Sequence, residues 1–119
     1  MTARECLRDA IAAGPAYQHA INTFVDEFRR ADPSLRRALI ADAPATSGAL
    51  AGLVAGVVSA LCREVDVDPP DWVGNTASPE PFFALPAASF EMRVRLMIES
   101  PPAFRVRRVF VPENYLSRA

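Results

Sequence analysis

A chain of 119 residues, half of them hydrophobic and with a formal net charge of -1, can bury one modest core but not a cofactor domain plus a substrate domain. Its thirteen basic residues are all arginine, so the lysine on which P-loop, protein-kinase and pyridoxal chemistry depends is missing. Cys6 and Cys62 are too few for a secreted disulfide framework, and an acidic, capped first helix stands where a leader would be basic and then apolar, so the expected location is cytoplasmic.

Thr2 stands three residues before Glu5, the capping-box spacing, and predicts a helix to about Ala13. Gly14 then offers a permissive stop and Pro15 a favourable first position for a second helix. Along that helix Tyr17, Ala20, Ile21, Phe24, Val25 and Phe28 recur at three- and four-residue spacing, which predicts one core-facing side. Asp32 and Pro33 open a third helix in the same way, with Leu35, Ala38 and Leu39 expected to face inward and Pro44 to end it. This region imitates a helix-turn-helix, but "RRADPSLRR" lacks the tight glycine-containing turn that motif uses.

From about Ser47 a fourth helix carries Leu50, Leu53, Val54, Val57, Val58, Leu61, Cys62 and Val65 on the helical stripe, and no charge interrupts residues 43–62. Gly48, Gly52 and Gly56 recur every four residues ahead of Ala60, a small-residue groove of the kind that pairs membrane helices. Pro44, Thr46 and Ser47 consume the N-terminal end and alanine and glycine dilute the rest, so no membrane span is expected. The expectation is a buried central helix whose glycines admit a close backbone, from the same chain, a twin subunit or another protein. Each interior glycine costs roughly 0.5–1 kcal/mol relative to alanine, which that contact must offset.

Residues 67–86 lose periodicity and read as an irregular Pro- and aromatic-rich connection. It would lay Trp72, Phe82, Phe83 and Leu85 over the helices, either as a core cap or as an exposed patch for a partner. Residues 87–100 are ambiguous: Phe90, Met92, Val94, Leu96 and Ile98 alternate as in a strand, whereas Glu91, Arg95 and Glu99 form a ladder that suits a helix. Helix is the reading adopted; a strand would make "SPPA" the turn of a C-terminal hairpin. The fold expected is therefore a single, mainly all-α domain of about five to six helices: a four-helix part over 1–66, the connection, and a basic closure over 87–119. The alternative is four helices plus a C-terminal β-hairpin.

Chemistry-bearing clusters are weak. Asp66 and Asp68 lack a third ligand beside their prolines, and one histidine with two distant cysteines matches no zinc spacing. His19 sits off the apolar face of its helix, and although a Cys6–His19 pair stays open, nothing in the sequence brings a nucleophile, base and orienter together. No catalytic, cofactor-binding or metal residue is assigned, no cofactor is expected, and the chain is read as a non-enzyme.

Charge is unevenly spread: residues 63–80 hold five carboxylates and one arginine, residues 90–119 six arginines and three glutamates. In the basic end, "LMIESPPAFRVRRVFVPENYLSRA" resembles the C-terminal signature of a poorly characterised bacterial family from GC-rich genomes. There a Ser/Ala-Pro-Pro-x-Phe-Arg turn leads through a basic run into Val-Phe-Val and a short final helix. The resemblance implies a small helical protein, encoded in related systems beside a nucleotidyltransferase-like protein in toxin–antitoxin style. This chain has "RVRRV" where family tails carry Arg-Arg-Arg-Asn, so a role tied to that asparagine does not transfer.

Two functions follow as expectations. One is an interaction module, antitoxin-like or accessory, that binds a nucleotidyltransferase-like protein or a second copy through Trp72, Phe82, Phe83, Arg105, Arg107, Arg108 and Tyr115, since arginine and aromatic side chains carry most interface energy. The other is a nucleic-acid-binding regulator using Arg93, Arg95, Arg105, Arg107 and Arg108 against phosphates. The plain competitor is that the arginines are solvated and the tail only closes the core.

Overall fold

The computed structural model describes residues 1–84 and 89–117; Leu85, one of the aromatic-connection residues above, lies outside them. The chain is mainly helical. Helix α1 (Ala3–Ala13) opens on the expected capping box, with the Glu5 N–H donating to Thr2 Oγ1 at 3.1 Å and the Thr2 N–H to Glu5 Oε1 at 2.9 Å. Those bonds to Thr2 hold the Glu5 carboxyl below its usual range. Gly14, at φ 58, ends the helix in a backbone region that glycine enters without a side-chain penalty.

A 3-10 turn over Gly14–Ala16 leads into α2 (Gln18–Arg30), which buries Ala20, Ile21, Phe24, Val25 and Phe28. The Asp32 side chain caps α3 (Pro33–Ile40) through the Leu35 N–H at 2.8 Å. This helix turns differently from the expectation: Leu39 and Ile40 are buried, while Leu35 is 50% exposed and Ala38 also faces water. Arg36 explains the rotation. Its guanidinium lies over the Phe28 ring and donates to the carbonyls of Phe28 and Arg29, both at 3.0 Å. The Arg29 carbonyl thereby acquires a side-chain donor, and the Phe28 carbonyl, which already accepts from the Ala31 N–H at 3.2 Å, gains a second donor.

Helix α4 (Ala49–Glu64) is the axis of the fold, with every residue from Ala51 to Val58 buried. It packs against α1, α2, a single helical turn α5 (Asp71–Gly74), a second such turn α7 (Pro102–Arg105), and strand β2 (Val109–Phe110). The helix starts one residue past Gly48, whose φ of 124 and ψ of -170 exclude it from helical geometry. No helix among the described residues is long and apolar enough to cross a membrane.

The rest of the chain wraps this axis. The connection holds more order than its composition suggests, since α5 and strand β1 (Phe82–Phe83) form inside it. β1 pairs in parallel with β2, Phe82 opposite Val109 and Phe83 opposite Phe110. The hairpin alternative is thus replaced by a two-strand parallel contact between segments 27 residues apart in sequence. Helix α6 (Phe90–Glu99) forms where strand alternation competed with the charge ladder; Ser89 caps it by accepting from the Met92 N–H at 3.2 Å.

Beyond β2 the expected final helix is a pair of turns, with the Tyr115 N–H donating to Pro112 and the Ser117 N–H to Asn114. Phe104, Val109, Phe110 and Val111 from this closure are all buried.

Candidate functional site

Most of the polar groups of the candidate partner residues are engaged within the chain. Trp72 donates its indole N–H to the Ile40 carbonyl at 2.9 Å. Phe82 tilts against Tyr17 at 6.0 Å between ring centroids, and the Tyr17 hydroxyl donates to the Ala84 carbonyl. Phe83 stacks on Phe110 at 5.2 Å, with Arg93 over its ring. Tyr115 meets Phe104 edge-on at 5.7 Å and donates to Gln18 Oε1 at 2.6 Å, and burial raises its hydroxyl pKa.

The arginines follow the same rule. Arg107 donates to the Ala103 carbonyl at 2.6 Å through Nη1 and to the Val73 carbonyl through Nε and Nη2 at 3.3 and 3.1 Å. Burial lowers its pKa from the ordinary arginine value. Arg105 reaches the Ile98 and Ser100 carbonyls, and Arg108 the Pro79 carbonyl. Arg29, outside the tail, joins Glu64 with two hydrogen bonds and donates to the Leu116 carbonyl at 2.7 Å. A guanidinium carries five donors in a planar fork, so one side chain can close two segments at once. These groups staple separate segments together through backbone carbonyls.

The glycine groove is filled from within the chain at two of its three positions. A β-carbon on Gly52 would stand 2.6 Å from the Ser78 backbone nitrogen, and one on Gly56 would stand 2.7 Å from Phe104 Cδ1. The connection and the tail therefore approach α4 through those gaps. Gly48 departs from the expectation of close helix packing. It lies outside the helix with nothing within 4 Å of a β-carbon, and it is needed for its positive φ instead.

The thiol and imidazole of the Cys6–His19 pair lie in different environments. Cys6 is buried and aims its thiol at the Ala20 carbonyl at 3.6 Å, burial pushing its pKa up to about 12, while His19 is exposed. Among the described residues, no group of three His, Cys, Asp or Glu could hold a metal ion.

A surface that the sequence reading did not single out is the outer side of α6. At 3.6 residues per turn, Phe90, Val94, Met97 and Ile98 fall within an arc of about 100°. Phe90 is 82% exposed, Ile98 71% and Met97 47%. Leu96, almost opposite, is the one buried residue of the helix. A shallow depression of about 350 Å³ runs beside this strip, lined by Glu91, Val94, Arg95, Ile98 and Glu99. The signal was present in the sequence: Met92 with Leu96 and Phe90 with Val94 and Ile98 are two i, i+4 stripes on different faces, and one core cannot cover both.

Compared with protein-family profiles, with curated proteins and with solved structures, the chain has no match.

Proposed function

We propose that this protein is a non-enzymatic interaction module, an antitoxin-like or accessory subunit, which docks a protein partner through the outer face of α6. The observation that carries this reading is the strip of exposed Phe90, Met97 and Ile98 around half-buried Val94, an apolar side of an ordered helix that faces outward. Contiguous apolar exposure of this sort is a mark of protein-binding surfaces, whereas scattered single residues are not. An amphipathic helix laid against a hydrophobic groove, read through i, i+4 and i+7 anchors, is a recurring recognition mode.

The docking surface thus moves from the tail arginines to the helix beside them. Arg105, Arg107 and Arg108 spend donors on backbone carbonyls, so fewer are left for a partner or for phosphates. The resemblance of the tail nominates a nucleotidyltransferase-like protein as the partner. Co-expression with such a neighbour-encoded protein, followed by size-exclusion chromatography, tests the assignment. Co-elution that Ile98→Glu abolishes is the expected result; separate elution of the wild-type proteins at micromolar concentration overturns it.

A further inference from the structure

We infer that the outer face of α6 is self-complementary and that two copies of this chain pair through it, antiparallel about a twofold axis near Val94. The inference rests on the reading of α6 as a docking surface, and it names a second copy as an occupant of that surface.

The apolar strip runs from Phe90 to Ile98, with half-buried Val94 at its centre. Under a twofold perpendicular to the helix, Phe90 of one copy meets Ile98 of the other, and the Val94 side chains meet on the axis. The same operation brings like flanks together with their direction reversed. On one flank stand Glu91 and Arg95, whose midpoint is one residue from the centre of the strip. Glu91 of each copy therefore faces Arg95 of the other, and the two ion pairs are reciprocal.

Within one copy these charges are available. Glu91 makes no ion pair among the described residues, and the contact of Arg95 with Glu99 is long, at 3.9 Å, with the Arg95 side chain 77% exposed. Arg93, on the opposite flank, would approach its own twin. Its guanidinium is instead held over the Phe83 ring, 5.8 Å from the centroid, within its own chain. A parallel pairing would set Arg93 against Glu91 and Arg95 alike, so its charges cancel instead of pairing, and it would align the two helix dipoles.

The face is short. Ten residues of helix span about 15 Å, too short a face to reach the roughly 800 Å² per partner that stable complexes bury. The pairing is accordingly weak and concentration-dependent, and a partner with a larger complementary groove displaces it.

Light scattering with the full chain tests the inference. The apparent mass should rise from 12.9 kDa toward twice that value as concentration reaches the order of 100 micromolar. Phe90→Glu and Ile98→Glu, both at exposed positions, should remove the rise without changing the circular dichroism spectrum. Glu91→Arg and Arg95→Glu should each weaken self-association by about tenfold. An equimolar mixture of those two variants should recover it, because every facing pair is then of opposite charge.

A chain that stays monomeric throughout this range, or a mixture of the two charge variants that associates no better than either alone, overturns the inference. If the chain stays monomeric yet co-elutes with a heterologous partner in an Ile98-dependent way, self-pairing fails and the docking assignment stands. Self-pairing that Ile98→Glu abolishes, with no heterologous partner bound, leaves the inference standing and removes the nominated partner.

Discussion

Gly56 and Phe104 occupy one space: a β-carbon on the glycine would lie 2.7 Å from Cδ1 of the ring, which is itself only 1% exposed. The tail is thus seated directly on the backbone of the central helix. Alanine at this position gains about 1 kcal/mol of helix propensity, but it must push a buried ring that Tyr115 braces edge-on. Overpacking of that kind costs about 1–3 kcal/mol. Gly56→Ala should lower stability in urea denaturation, and Gly52→Ala should lower it more, because its obstacle is the Ser78 backbone, whose N–H is already committed to the Arg107 carbonyl at 2.9 Å. A stabilised Gly52→Ala variant would contradict this packing.

Arg107 joins α5 to α7 through two carbonyls, Val73 and Ala103, and thereby fixes the loop that precedes β2. Substitution by alanine removes the guanidinium from both carbonyls, although Val73 keeps a long bond from the Thr76 N–H at 3.5 Å, at a cost of about 1–3 kcal/mol. Lysine keeps the charge but not the fork, so Arg107→Lys should recover less than half of the loss. Thermal melts of the three proteins at equal ionic strength separate a donor role from a purely electrostatic one. Full rescue by lysine would point to charge alone.

Ser100 is wholly buried between the end of α6 and β2, where its hydroxyl accepts from the Val111 N–H at 2.8 Å and lies 2.5 Å from the Leu96 carbonyl. Ser100→Ala keeps the shape and removes the acceptor, leaving a buried N–H unpaired. The expected destabilisation is about 1–3 kcal/mol, read from urea unfolding. The Val111 amide should also exchange with deuterium faster than in the wild type.

Much of this architecture is written locally. Thr2 with Glu5 and Asp32 with Pro33 each specify a helix start within four residues, and the structure begins helices at those places. What local pattern did not hold was long-range closure. Phe82 and Phe83 become a strand only because Val109 and Phe110 lie beside them, and two-residue strands carry no period of their own. The orientation of α3 depended on where the Arg36 fork found carbonyls, which spacing does not encode. Likewise, the tail arginines were recognisable as a cluster, but their partners are backbone carbonyls, and two of these, Val73 and Pro79, lie 34 and 29 residues away. The apolar side of α6 was hidden by its own alternation, since a helix with two apolar faces mimics a strand when read along the chain.

Helix α6 buries Leu96 alone, whereas α4 buries ten of its residues. Stability follows burial, so α6 should open locally while α4 opens only with the whole molecule. In hydrogen exchange on dilute protein, amides of residues 94–98 should exchange faster than those of residues 53–58 by roughly a hundredfold or more. Raising the concentration into the self-pairing range should slow the α6 amides and leave α4 unchanged. Equal protection of both helices in dilute solution would show that α6 is anchored more firmly than its burial implies.

Alkali should unfold the protein through its buried acids. Burial pushes the Cys6 thiol up to about 12 from 9.0, and it also raises Cys62, Tyr17 and Tyr115. In each case the folded chain holds a proton that the unfolded chain releases at lower pH. The sign follows directly: the stabilisation is complete below the unfolded pKa and is lost as pH rises toward the folded one. Between about pH 9 and 12, Cys6 alone removes about 1.4 kcal/mol per pH unit, because one proton separates the two states. Cys6→Ala eliminates that titration while retaining a small apolar side chain, so the midpoint of alkaline unfolding, followed by circular dichroism, should be less steep in pH than that of the wild type. Identical slopes would mean that the thiol ionises in the folded chain, and its burial beside the Ala20 carbonyl would then not be what holds the proton.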